Sequence, residues 1–146
     1  MKALIVYDSL HGNTEQIAKA IGGALKDDVR IERVGSVDPT TLDSAGVLII
    51  GSPTHGGRPT PAMQKFIDAI PEKSIKGMRV AAFDTRLAGR MVRMFGYAAP
   101  RAAASLESMG AVLVLPPEGF AVAKTTGPLK DGELERAAKW AKGLRQ

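Results

Sequence analysis

Four stretches of the chain carry almost unbroken apolar side chains: Lys2–Tyr7, Gly46–Gly51, Val80–Phe83 and Ala111–Leu115. None alternates cleanly between apolar and polar. Runs of this kind are expected where helices cover both faces of a parallel sheet. A fifth stretch, Val29–Val34, does alternate, with Arg30 and Glu32 polar, as suits a strand at a sheet edge. Between the runs, apolar residues recur at helical spacing. Ile17, Ile21 and Leu25 share one stripe of Thr14–Lys26, and Met63, Phe66, Ile67 and Ile70 share one of Pro61–Ile70. Ala102, Leu106 and Met109 do so in Ala98–Met109, and Leu134, Ala137, Ala141 and Leu144 in Glu133–Leu144. Each stripe predicts a helix with one buried side. A short turn or helix is expected near Pro39–Leu42. The segment Pro116–Gly132, punctuated by Pro116, Pro117, Gly127 and Pro128, reads as the longest loop.

Strand and helix thus alternate along the chain. That order predicts an α/β fold: a three-layer, doubly wound, five-stranded parallel sheet with strand order 2-1-3-4-5. No internal repeat, linker or low-complexity segment interrupts it, so residues 1–146 read as a single domain. A chain of 146 residues can bury an ordinary core. Trp140, on the last helix, is expected to pack within it.

Composition narrows the chemistry. The chain has no cysteine, so disulfides, thiolate catalysis and cysteine-ligated clusters cannot form within it. Redox work would need a bound organic cofactor. The absence also suits a reducing compartment. The first apolar run stops at Asp8, too short for a secretory core or a membrane span, and a soluble cytoplasmic protein is expected. The formal charge of +5 favours acidic partners or anionic ligands. Nucleic acid is disfavoured, because Tyr7, Tyr97 and Trp140 form no aromatic–basic array. His11 and His55 are the two histidines, with no clustered carboxylates beside them, and no metal site is expected. Neither a Ser–His–acid order nor paired carboxylates stand out, so no catalytic side chain is assigned.

Candidate chemistry lies in the loops after the strands. Asp8–Glu15 runs from a strand into a helix N-terminus, whose unpartnered N–H groups and dipole suit a phosphate. Gly12 permits a tight turn there, and Ser9, Asn13 and Thr14 add side-chain donors. An ordinary capped helix would look similar. The loop lacks both GxxxxGK[ST] and GxGxxG, which disfavours a nucleotide triphosphatase and a dinucleotide fingerprint. Gly51–Pro61 follows the third strand, at the switch point where such sheets bind ligands.

The segments YDSLHGNTEQIA and GSPTHGG resemble the corresponding loops of flavodoxins, and the likeness extends over nearly the whole chain. The resemblance implies FMN as cofactor. Ser9, Gly12, Asn13 and Thr14 match the positions that wrap its terminal phosphate. Leu10 and His11 stand where hydroxyl residues are common, and the phosphate would remain dianionic with no lysine beside it. Ser52, Pro53 and Thr54 match a ring and ribityl contact, and His55 occupies the place of an often aromatic stacking residue. Gly56 and Gly57 match a flexible peptide whose carbonyl can turn toward the proton on flavin N5. Asp84, Thr85 and Arg86 fall in the third loop, where the family often carries a stacking tyrosine that this chain lacks.

That third region departs from the family in charge. Arg86, Arg90, Arg93 and Arg101 follow Thr85 with no acid among them, whereas flavodoxins are acidic around the ring. A positive rim would raise the flavin potential; a merely solvated basic face is the alternative. The resemblance implies electron transfer between redox partner proteins, here with acidic docking surfaces, by a monomer or homodimer. An NAD(P)H:quinone or protoporphyrinogen-type oxidoreductase of the same fold is the other reading.

Overall fold

The apolar runs pair as parallel strands in the computed structural model, which describes residues 2–26, 28–42, 45–88 and 96–145. Strand β1 (Lys2–Tyr7) lies between β2 (Asp28–Arg33) and β3 (Val47–Pro53), and β4 (Arg79–Leu87) pairs with β3. Ile5 stands opposite Ile31 on one side and Ile49 on the other, and Ile49 faces Ala81. The order is the expected 2-1-3-4-5, with the alternating strand β2 at the edge.

Two short strands fill the fifth position. β5 (Val112–Leu113) pairs with Arg79 and Val80, and β6 (Glu118–Val122) pairs with Phe83–Leu87. Four residues, Val114–Pro117, therefore span the distance that Ala81 and Ala82 cover on β4. Pro116 and Pro117 lack N–H donors and sit where the ladder is broken. This corrects the expected loop over Pro116–Gly132, because five of its residues are strand. The fourth strand was expected to end at Phe83. It continues to Leu87, so Asp84, Thr85 and Arg86 lie on a strand end, not in a loop. The turn expected near Pro39–Leu42 is present, closed by the Thr41 N–H on the Asp38 carbonyl at 3.1 Å, and a helical turn at Val34–Ser36 precedes it.

Helices α1 (Asn13–Leu25) and α5 (Glu133–Lys142) cover one face of the sheet. The other carries α2 (Pro61–Asp68), the short α3 (Glu72–Ile75) and α4 (Ala98–Ser108). The first core joins Ile5, Ile17, Ile21 and Ile49; the second joins Val6, Ile50, Met63 and Leu106. Phe83, Phe120 and Trp140 meet edge to face, with centroids 6.3–6.4 Å apart, so Trp140 packs against the core as expected. Gly51 is required beneath this cluster: a Cβ there would lie 2.0 Å from the Phe83 ring.

A polar pin holds β6 against α5. Glu133 Oε2 accepts the N–H of Ala121 at 2.6 Å, and its carboxylate receives Arg136 Nε and Nη2 at 2.9 and 2.8 Å. Arg136 also pairs with Glu118 and donates to the carbonyl of Gly119. The Arg136 hydrogen bond, aided by the Ala121 N–H, holds the Glu133 carboxyl below the 4.5 of an ordinary glutamate. The unfolded chain therefore takes up this proton at higher pH than the native one. The stabilisation is full above 4.5 and is lost as pH falls through the depressed value. Glu133→Gln is expected to lower stability at neutral pH, and the gap to wild type should close as acid protonates Glu133. Urea unfolding of both proteins across that range checks it.

Candidate cofactor site

The carboxyl ends of β1, β3 and β4 open into one crevice, and hydrogen bonds between their loops define it. After β1, Ser9 shapes its own loop. Its N–H donates to Asp8 Oδ1 at 2.9 Å, and its Oγ accepts the N–H groups of Gly12 and Glu15 at 3.0 and 3.4 Å. Both lone pairs of the hydroxyl are then engaged, and its proton is left to donate. Gly12 sits at φ +89°, in the left-handed region, at the start of α1. The N–H groups of Leu10, His11, Asn13 and Thr14 make no hydrogen bond among the described residues. Leu10 and His11 are exposed, whereas Asn13 and Thr14 are buried.

The loop after β3 is tied to the first. Thr60 donates its hydroxyl to Asp8 Oδ2 at 2.5 Å, and its Oγ1 accepts the N–H of Met63, capping α2. The N–H of Thr60 donates to Ser52 Oγ at 3.1 Å. His55 and Arg58 exchange both backbone bonds around Gly56 and Gly57, which sit at φ +59° and +80°. This is a two-residue turn of the kind that needs glycine. It leaves the His55 imidazole exposed at the tip.

The end of β4 joins both. Thr85 Oγ1 lies 2.8 Å from Thr14 Oγ1, and its carbonyl accepts the N–H of Thr54. Asp84, with no exposed surface, receives Arg86 Nε and Nη2 at 2.7 Å each and the N–H of Ala99 at 2.8 Å. The Thr54 hydroxyl also bonds Asp84, while its Oγ1 accepts the N–H of Ala98 at 3.1 Å. Burial raises the Asp84 pKa above the usual aspartate value; Arg86, Ala99 and Thr54 pull the other way. The Arg86 guanidinium stacks on Tyr97, 3.5 Å from the ring centroid.

All fifteen residues expected at the site thus lie at this end of the sheet, but in different roles. Ser9, Ser52 and Thr54 brace loops, and Asp84 is sealed beneath Arg86. Arg90 and Arg93 lie outside the described residues. Three contributors carry no motif. Arg33, on β2, reaches the carbonyl of Ser9 and Glu15. Gly127 lets its loop close on Asn13, where a Cβ would meet Oδ1 at 2.7 Å. Tyr97 takes Arg86 on its face. Thr60, by contrast, announces itself as a helix cap, because it directly precedes Pro61.

Comparison with known proteins agrees with this geometry. The flavodoxin domain family matches residues 4–108. The chain belongs to that family. It is 35% identical over 89 residues to a flavodoxin of Clostridium saccharobutylicum, which covers 58% of this chain and 56% of that protein. The chain spans about half the length of the curated relatives it matches. A flavodoxin structure from the domain Archaea superposes with TM-score 0.81 and 27% identity, covering 97% of this chain and 94% of that one. Flavodoxin 2 from Bacillus cereus gives TM-score 0.84 and 25% identity over 99% and 98%.

Removing the Asp84 carboxylate would leave the half-buried Arg86 and the buried Ala99 N–H without their acceptor. Asp84→Ala is expected to cost roughly 3 kcal/mol, read as a shift of the urea midpoint. An unchanged midpoint would show that the pair contributes nothing to the assembly.

Proposed function

We propose that this chain binds FMN and passes one or two electrons between redox partner proteins. The reading is carried by one observation: Thr60–Asp8 and Thr14–Thr85 bind the loops of three strands around a single crevice. The donor set fits FMN. Four N–H groups without a partner among the described residues, together with the Ser9 proton, suit a phosphate at the α1 N-terminus. The flat, glycine-hinged turn at His55–Arg58 suits a planar ring beyond it. FMN supplies the redox chemistry when bound; the protein positions it and sets its potential.

Ser9, Leu10, His11, Gly12, Asn13 and Thr14 would enclose the phosphate. Ser52, Pro53, Thr54 and His55 would flank the ring, and Gly56 can rotate its peptide at little cost because it has no Cβ. Asp84, Thr85 and Arg86 close the third side. The partner is a cytoplasmic protein with an acidic surface. An open groove of about 600 Å³ between α2 and α4 supports this choice, because His55, Arg58 and Arg101 line it and no carboxylate does among the described residues. The net charge of +5 adds long-range attraction.

One observation favours a second reading, an NAD(P)H:quinone or protoporphyrinogen-type oxidoreductase. Tyr97 already carries Arg86 on one face of its ring, so that face is not offered to a flavin, which suits access by a small planar molecule.

Purified protein is expected to take up one FMN per chain at micromolar concentration and to turn yellow, with FAD bound far more weakly. Once reduced, it should pass electrons to an acidic ferredoxin at a rate that falls as salt is added, and Arg58→Glu should slow that transfer. Absence of FMN uptake by folded protein sinks the reading. Rapid turnover of a small quinone with NAD(P)H, and slow transfer to any protein, would favour the second.

A further inference from the structure

A cavity of about 60 Å³ lies at the N-terminus of α1, lined by Ser9, His11, Asn13, Thr14 and Thr85 and also by Thr125, from the segment after β6. Pockets that take a whole ring system span roughly 300 Å³ or more, so this one suits a single compact group. No motif in the chain marks Thr125, and its place here is set by backbone pairing. The Lys130 N–H donates to the Ala121 carbonyl, the Ala123 N–H to the Pro128 carbonyl and the Gly127 N–H to the Lys124 carbonyl, each at 2.9 Å. Residues 124–127 are therefore the tip of a hairpin that continues β6, with Thr125 and Thr126 at its centre. The tip is seated on α1. Gly127, at φ +106°, comes so near Asn13 that a Cβ there would meet Oδ1 at 2.7 Å.

Two polar side chains at this contact have nothing to bond. Asn13 is only 7% exposed, yet its side-chain amide makes no hydrogen bond among the described residues. Among those residues Trp140 Nε1 alone is both fully covered and unpartnered, so the Asn13 amide is open to the cavity it lines. The Thr125 hydroxyl is also without a partner, and the residue is exposed.

We propose that this hairpin tip is a further binding segment of the cofactor site, and that Thr125 donates its hydroxyl to the phosphate end of the ligand. The identity of the ligand rests on the FMN reading above; the assignment of Thr125 to a phosphate does not. The α1 dipole and the N–H groups of Asn13 and Thr14 select an anion, and a hydroxyl engaged by nothing else has its proton to give. The tip brings no carboxylate: Lys124 is its one charged residue, and it makes no ion pair among the described residues. Gly127 is a positioning residue, because a side chain there would lift the tip off Asn13. With its backbone already paired, the tip loses little further freedom when an anion arrives.

Titrations of purified protein with FMN, riboflavin and inorganic phosphate, followed by fluorescence and calorimetry, test this. Riboflavin carries the ring without the phosphate. Thr125→Val keeps the shape and removes the hydroxyl; it should weaken FMN at least about fivefold. Thr125→Asp sets a negative charge against the phosphate and should weaken FMN more than about tenfold. Riboflavin affinity should stay within about twofold in both. Thr126→Val, next along the tip but outside the lining, should match wild type with both flavins. Thr125 and Thr126 are exposed, so urea midpoints should stay at the wild-type value. Unchanged FMN affinity in Thr125→Asp, or equal loss of FMN and riboflavin, overturns the proposal. If wild type binds neither flavin yet binds phosphate, the FMN reading falls; Thr125 keeps its role if Thr125→Asp weakens phosphate and loses it if phosphate binding is unchanged. If wild type binds none of the three, both fall.

Discussion

A carboxylate cut off from water organises the functional end of this molecule. Asp84 cannot be hydrated, and an unmatched charge in such a place is costly. Its acceptors are filled from three directions: Arg86 two residues on, the first turn of α4, and the hydroxyl of Thr54 in the neighbouring loop. Satisfying one buried group therefore fixes where the β3 loop meets α4 and how the guanidinium is aimed.

The remaining ties follow the same logic with neutral groups. Thr60 bonds Asp8 while capping α2, and Thr14 meets Thr85 across the sheet end. Each hydroxyl links a helix start to a different strand, so the crevice inherits the rigidity of the sheet. The loops are surface segments, but their positions are set by elements that cannot move independently.

Much of this was legible in the amino acids, and the failures have a common cause. Branched apolar runs located the central strands because burial on both faces demands them, and the polar alternation of Val29–Val34 marked the edge. The glycine-asparagine-threonine stretch located the first loop. Asp84, Thr85 and Arg86 were misplaced because hydrophobicity cannot see a strand that goes on after its side chains turn polar. Those side chains are satisfied through pairing with Thr14, Tyr97 and Ala99, which lie far from them along the chain. Strand β6 was hidden behind Pro116 and Pro117, which mark the end of a ladder but not its resumption two residues out of step. Arg33 and Gly127 act only through contacts that folding creates, so no local signal announces them.

The hydroxyl of Ser9 has one more implication. By receiving two amides of its own loop, it stiffens the turn before anything enters and fixes the direction of its single proton. Such a loop has a polarity: it welcomes lone pairs and turns away donors such as ammonium groups. A guest then meets donors already in place, and less ordering of the backbone remains to be done on arrival.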